Sequence, residues 1–438
     1  MTEGETRKLL GRVMKAARRG GAEVIAGVRT ARGGNTRFAV NEITSSGEIE
    51  TVTLSVTVQV GKRAAIANTN QLDDASIEDV IARAQRMARL APENPEAMPP
   101  LPAQRYIAVP KASDAGTEAA GPALRAKAAG AAIAAARAAN VTIAGFYEHG
   151  VHTRALATTA GLTAFHAWTT AGLSCTARTQ DGTGSGWAGA DSNKVSDLDA
   201  AAMAKIAVGK AASSAKPRRL EAGRYTVVLE PAAVAGLLGS LIGSLGARRA
   251  DEGRSFFSKG GGKTKVGDRL FPAHVTLRSD PADAALAAAP FDVEGFPQKR
   301  VTWIDQGTVA GLTYSRYWAQ REGKQPTGNP DGWILDGGTQ TREQLIAGVK
   351  RGVLITRFWY IRMLDPQTIL LTGLTRDGTF LIENGQIAGP VNNFRFNESP
   401  VQMLANSDAL SAGALVEGMR VPALRTHEFN LASISEAV

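Results

Sequence analysis

The sequence predicts an α+β fold: two tandem helix-strands-helix units followed by a largely antiparallel β C-terminal domain. Three observations carry that expectation. Apolar residues recur at helical spacing at both ends of each early unit, Glu50 to Val60 alternates strictly, and beyond residue 222 short apolar runs are divided by Gly, Pro, Asn and Asp. A chain of 438 residues exceeds one ordinary core, so it is divided into an N-terminal unit (1–95), a Pro-rich linker (96–120), a second unit (121–215) and a C-terminal domain (223–438).

The first helix is predicted over Thr6 to Arg19, where Leu9, Leu10, Val13, Met14 and Ala17 share a face and Gly20-Gly21 stops the run. In the Glu50–Val60 strand Val52, Leu54, Val56, Val58 and Val60 line one buried face, and Gly61-Lys62 turns the chain into a return strand through Ala64, Ala65 and Ile66. A second helix starts at Ser76, capped through its hydroxyl with Asp79 three residues on, and runs to about Leu90. Pro92, Pro95, Pro99, Pro100, Pro102 and Pro110 then place a boundary between 91 and 120. The plan repeats: a helix over Pro122 to Asn140, strands from Val141 and over Thr163 to Arg178, a Gly-rich excursion at Asp181 to Ala190, and a helix within Ser196–Ser214. After a connector at Ala215–Ala222 the chain reads as strand and turn, with Asn384-Gly385 its strongest hairpin signal. Helices interrupt at Pro231–Arg248, Arg342–Lys350 and Ser399–Ser407.

Composition narrows the function. Fifty Lys and Arg against 41 Asp and Glu give a formal charge of +9, but the basic residues come in pairs such as Arg18-Arg19, Arg218-Arg219 and Arg248-Arg249. No long basic stripe interleaved with aromatics forms, so the charge reads as a solvated surface and nucleic acid is not an expected partner. Cys175 is the single cysteine, which excludes an intrachain disulfide and suits a reducing compartment. The start of the chain has no signal-peptide core, and no run of about 18 apolar residues occurs, so a cytoplasmic protein without a membrane partner is expected.

The catalytic inventory on residues alone is poor. In "KGGGKTK", Lys259 to Lys265, the upstream Gly of a phosphate loop is replaced by Phe257, and the segment reads as a surface loop. Glu148, His149, His152, His166 and Cys175 lie in one segment, yet on a strand His149 and His152 point to opposite faces. Asp251 and Glu252 read as solvated loop residues. Neither a nucleophile elbow nor a His-Glu-x-x-His occurs. The least expected feature is "AGLLGSLIGSLG", Ala235 to Gly246, a helix-like apolar run interrupted by Gly236, Gly239, Gly243 and Gly246, where each interior Gly costs about 0.5–1 kcal/mol relative to Ala.

Longer stretches carry a resemblance. "FDVEG" (Phe291–Gly295), "PTGN" (Pro326–Asn329), "TRFWYIRMLDP" (Thr356–Pro366) and "TGLTRDGTFLIENGQIAGPVNNFRFNES" (Thr372–Ser399), with weaker agreement at "GKRAAIANTN" (Gly61–Asn70), resemble the TldD/PmbA family. These are zinc-peptidase-related proteins once described as modulators of DNA gyrase. The resemblance implies a helix that in active members carries His-Glu-x-x-x-His, two zinc ligands and a general base, with a Cys near the C-terminus as third ligand. Through "GLL" this chain places Gly239 and Ser244 at the His positions and Ser240 at the Glu, and its tail holds no Cys. A catalytic zinc needs about three protein ligands, so no cofactor is expected in this chain.

The resemblance therefore implies the silent PmbA/TldE type of member, paired in a heterodimer with a zinc-binding TldD-like homologue and acting on unfolded peptide held as an added strand. Thr356, Arg357 and Trp359, on the strand Ile355–Ile361, are the candidate peptide-binding residues. Two alternatives are an independent metallopeptidase with ligands drawn from His149, His152, His166 or Cys175, and a DNA- or gyrase-associated modulator.

Overall fold

A computed structural model describes residues 1–19 and 23–436; Gly20-Gly21, the expected stop of the first helix, lies outside them. The architecture is α+β, with sheets mostly antiparallel.

The first sheet takes its strands from both early segments. Helix α1 (Glu3–Arg19) leads into β1 (Glu23–Ala39), β2 (Glu42–Val60), β3 (Arg63–Thr69) and α2 (Asp74–Leu90). After the linker come α3 (Pro122–Ala138), β4 (Val141–Thr158), β5 (Thr163–Thr179), β6 (Ser185–Ser192) and α4 (Ala200–Ser213). The strands align as β3-β2-β1-β4-β5-β6, with β1 and β4 antiparallel from Ile25↔Thr158 to Phe38↔Gly145. Both segments thus share one six-stranded sheet. Leu9, Val13 and Val80 pack on Val24, Val28, Leu54, Val56 and Val58 in one cluster, while Ala129, Ala204 and Ala207 pack on Phe38, Ile143, Leu173 and Cys175 in a second.

Several details depart from the local reading. Asp73, not Ser76, caps α2: its carboxylate accepts from the Ser76 backbone N–H at 2.9 Å and the Ser76 hydroxyl at 2.7 Å. Asp79 instead accepts from Arg83 Nε at 2.8 Å. An ionised Asp one turn earlier is the stronger acceptor for the free N–H groups. The alternating strand extends back to Glu42, and only Leu54, Val56 and Val58 of its apolar face are fully covered, Val52 being half-buried and Val60 exposed. The Gly-rich excursion contains strand β6, whose Gly186 lets α4 lie against it, since a Cβ there would run into the Ala207 carbonyl. The Pro-rich linker holds one short helix, Ala115–Glu118, and two isolated bridges, Pro102↔Gly161 and Ala112↔Trp168, yet Leu101 is buried and its carbonyl accepts from Thr158 Oγ1 at 2.7 Å.

In the C-terminal segment β7 (Gly223–Leu229), β8 (Arg351–Asp365), β9 (Leu370–Glu383), β10 (Gln386–Pro390), β11 (Asn393–Glu398), β12 (Ser407–Val416) and β13 (Met419–Ser435) belong to one sheet. Strands β7-β8-β9-β11-β13 close into a ring because β13 pairs back onto β7 from Leu424↔Leu229 to Leu431↔Gly223. Asn384 and Gly385, both at positive φ, turn β9 into β10 as the dipeptide predicts. Helix α5 (Pro231–Gly243) packs on β8 and β13, its Leu237, Leu238 and Leu241 joining Val227, Val353, Ile355, Phe394, Phe396 and Leu424 in the core. Leu238→Ala should lower stability by about 2–5 kcal/mol, read as a shift of the denaturant midpoint without loss of a single cooperative transition.

Candidate functional site

Helix α5 is built by Pro231 at its first turn and an apolar face toward the ring. The three positions aligned with the metal motif sit elsewhere on its circumference: Gly239 is exposed, and Ser240 and Ser244 are half-buried. Ser244 ends the helix, and its hydroxyl donates to the Ser240 carbonyl at 2.8 Å. The run expected to reach Arg248 breaks there, resuming as the short helix Ala247–Asp251 after Gly246. A Cβ on Gly239, Gly243 or Gly246 would meet nothing within 4 Å, whereas one on Gly236 would lie 3.1 Å from Ile361 Cδ1. Close helix packing therefore accounts for Gly236 and not for the other three.

The donor set beside α5 does not fit a zinc ion. Gly239 offers no atom, the Ser244 hydroxyl is turned onto its own helix, and among the described residues no group of three or more His, Cys, Asp and Glu is placed to hold a metal. Asp251 accepts from Trp318 Nε1 at 2.7 Å, and Glu252 is held by Arg248 and Arg254, whose hydrogen bonds keep its carboxyl below the usual range.

The histidine segment does not converge either. His149 faces α3, with its Nδ1 3.4 Å from the guanidinium of the fully buried Arg125; burial and then that charge push its pKa down. Arg125 also donates to Glu48 at 3.0 Å, a buried cation that an Ala-rich helix gives no reason to expect. His152 lies on the other face, as alternation requires, at 2.9 Å from Thr170 Oγ1. There Trp168 is stacked between His152 (5.2 Å) and His166 (5.6 Å), beside a cavity of about 590 Å³ that Glu148, Asp191 and Glu417 also line. Burial lowers the pKa of both histidines. Cys175 sits among the α3/α4 contacts, and its thiol is pushed up to about 12 by burial. The "KGGGKTK" segment is a small hairpin, Ser258–Lys259 with Lys263–Thr264, and Lys259 pairs with Asp268 at 2.6 Å.

The candidate peptide residues divide between two faces. Thr356 is 0% exposed and its Oγ1 has no hydrogen-bond partner. It stands opposite a bulge in β9, where Ile355↔Thr379 gives way to Arg357↔Arg376 and Asp377 and Gly378 take positive φ. Arg357 points the other way. Its Nε and Nη2 donate to the fully buried Asp377 carboxylate at 2.7 and 2.6 Å, and its guanidinium lies 5.0 Å from the Trp187 ring centre. The Ser185 hydroxyl of β6 supplies a further hydrogen bond to Asp377. Trp359 is 45% exposed and carries the Arg376 guanidinium 4.3 Å above its ring. Arg357 and Trp359 line one groove, of about 490 Å³, with Thr176, Arg178 and Arg376; Thr356 lies behind it.

Sequence reasoning missed two arrangements. One is this gathering of arginines. The other is a chain of hydrogen bonds on the ring surface, in which His427 Nε2 contacts Asp408 at 2.9 Å and His427 Nδ1 contacts Thr226 at 3.0 Å, with Arg425 bracing Asp408. Both assemble residues from strands far apart in sequence, and no local spacing marks them.

Two outcomes test these environments. Gly239→Ala should raise stability by about 0.5–1 kcal/mol, measured by thermal or denaturant unfolding, because the new methyl meets no neighbour and helix propensity improves. Cys175 should resist a thiol-reactive dye at neutral pH in the native protein and react only once the protein is denatured.

Three family models match in chain order. That for domain 1 of the PmbA/TldA metallopeptidases covers 26–88, that for the central domain 70–215 and that for the C-terminal domain 222–433. The metalloprotease PmbA of Escherichia coli O157:H7 is 25% identical over 186 residues, 41% of this chain and 39% of that protein. A metalloprotease of Methanothermobacter thermautotrophicus is 22% identical over 205 residues, 43% of each. The chain thus aligns with about two fifths of the length of these curated relatives. Among solved structures, TldE from Thermococcus kodakarensis superposes with a TM-score of 0.87 at 19% identity, covering 96% of this chain and 99% of that one. A candidate modulator of a DNA gyrase from Thermotoga maritima gives 0.86 at 18%, covering 97% and 99%. The fold is shared with both structures, and with all three domain models matched from residue 26 to 433 the chain belongs to the PmbA/TldD family of metallopeptidase-related proteins.

Proposed function

We propose that this chain is the catalytically silent subunit of a peptidase, paired with a zinc-binding TldD-like homologue and contributing chamber wall and peptide-binding surface rather than a metal. One observation carries the reading. The helix that aligns with the metal motif is intact as a core element, while its three chemical positions offer a bare backbone and two hydroxyls, one of them turned inward. The metal-bound hydroxide of the reaction then belongs to the partner. Unfolded peptide is the substrate class, and the groove of Arg357 and Trp359 is the surface we assign to it. No helix among the described residues is long and apolar enough to cross a membrane, and we place the protein in the cytoplasm.

The early chain we read as a duplicated helix-strands-helix unit. The order α1-β1-β2-β3-α2 recurs as α3-β4-β5-β6-α4, and the pairing Gly33↔Gly150 lies near the centre of the β1/β4 ladder, where a two-fold relation would put it.

Metal analysis and reconstitution test the functional reading. Purified alone, the chain should carry far less than one equivalent of zinc and leave an unfolded peptide intact, with hydrolysis appearing when the His-Glu-x-x-x-His homologue is added. Stoichiometric zinc together with hydrolysis by the lone chain overturns it, as does a homologue that is fully active without this chain.

A further inference from the structure

Resting on the peptide-handling reading above, we propose that the groove between the end of β5 and the β8/β9 ladder is an anion site that grips a carboxylate of the bound peptide, either its C-terminus or an Asp or Glu side chain. The walls are specific. Thr142, Ala144, Thr176 and Arg178 come from the face of the first sheet that the helices leave open, and Arg357, Trp359 and Arg376 come from the ring. Among the described residues Asp377 is the one carboxylate lining this groove, and it is fully buried behind the guanidiniums of Arg357 and Arg376.

That carboxylate is committed. Arg357 grips Asp377 through two nitrogens, and Ser185 takes its other oxygen. Arg376 Nε remains 4.0 Å from Asp377, beyond hydrogen-bond length, with its guanidinium laid over the Trp359 ring. A guanidinium held over a ring in this way can still present its donor fork to a carboxylate, a bidentate geometry that arginine favours. Arg376 is partly desolvated; the buried Asp377 offsets part of that cost, while Arg178 and Arg357 stand as like-charged neighbours that an arriving anion would screen. Among the described residues two further acids lie near. Asp181 is held by Thr179 and Thr183, while Glu417 lines the adjoining cavity, where its charge acts on Arg357 and not on Arg376. The exposed Trp359 face gives the residue bearing the carboxylate an apolar wall.

Fluorescence anisotropy with a short unstructured peptide, labelled at its N-terminus with a zwitterionic dye, tests this on the full chain at low salt. Four versions are compared: free C-terminal carboxylate, C-terminal amide, amide with one internal Glu, and amide with Gln in its place. The free acid or the Glu peptide, or both, should bind about tenfold more tightly than the neutral versions, and which of them does so identifies the source of the carboxylate. Arg376→Gln should bring the charged peptides down to the affinity of the neutral ones, and Arg376→Lys should restore part of the preference; Arg178→Gln is the second variant if the first melts early. Equal affinity for all four peptides, no binding at all, or a preference that survives Arg376→Gln in a protein of unchanged melting temperature overturns the proposal. Zinc content and reconstituted hydrolysis judge the silent-subunit reading separately, so either can fail without the other.

Discussion

The buried carboxylate of Asp377 is the constraint around which the two sheets are set. It lies on a ring strand at positive φ, receives Arg357 from the neighbouring ring strand, and receives Ser185 from β6 of the first sheet. A fully buried carboxylate survives only if its charge and lone pairs are met, and removing one partner from such a pair typically costs about 3–5 kcal/mol. Misplacing either sheet therefore carries a cost at this residue. The same contact explains the local geometry. The Asp377–Gly378 bulge turns a strand side chain into the seam, leaves Thr356 opposite with no partner for its hydroxyl, and fixes Arg357 over Trp187.

Helix α5 is held by a core face that leaves its motif-aligned positions free to vary. Leu237, Leu238 and Leu241 hold it to the ring, and Ala233, Val234 and Ala235 complete that face. Gly239, Ser240 and Ser244 fall outside the buried set. Because the core face and the chemical face use different residues, exchanging the latter leaves burial unchanged and costs only helix propensity, about 0.5–1 kcal/mol per interior Gly. A marginally stable protein tolerates that where it would not tolerate the loss of a core leucine.

What was legible in the sequence follows the range of the interactions involved. The Val52–Val60 alternation, the Asn384-Gly385 turn and the faces of the helices depend on residues a few positions apart, and they were readable. The cap of α2 was misread by one turn because Ser76 and Asp73 both satisfy a local capping pattern, and only geometry shows which accepts. The joining of β1 to β4 was not readable, since the strands are separated by β2, β3, two helices and the linker, and each looks complete without the other. Asp377-Gly378 has the composition of a turn yet sits in a buried bulge, because strands from both sheets meet there. Arg125 misleads in the same way: a basic residue in an Ala-rich helix reads as solvated, while the packing of β1, β2 and β4 encloses it. The resemblance reached the family and its missing motif; it said nothing of the arginines around the groove.

These features separate two surfaces by how tightly each is tied to the core. Gly239, Ser240 and Ser244 on α5 are uncoupled from the core, so nothing in the packing dictates which side chains stand there. The groove is coupled to it: Arg357 neutralises Asp377, Asp377 joins the sheets, and Trp359 and Arg376 follow on the same two strands. Arg357 cannot be exchanged for a neutral side chain without exposing the fold to an unpaired buried charge. Selection for stability alone therefore preserves Arg357 and the bulge beside it. Arg376 is different. Its Nε stands beyond hydrogen-bond distance of Asp377, and its stack on Trp359 lies at the surface, where such a contact is worth about 0.5–1 kcal/mol. Stability has two modest reasons to hold this guanidinium in place, the stack and the charge of Asp377 at 4.0 Å, and neither uses its donor fork.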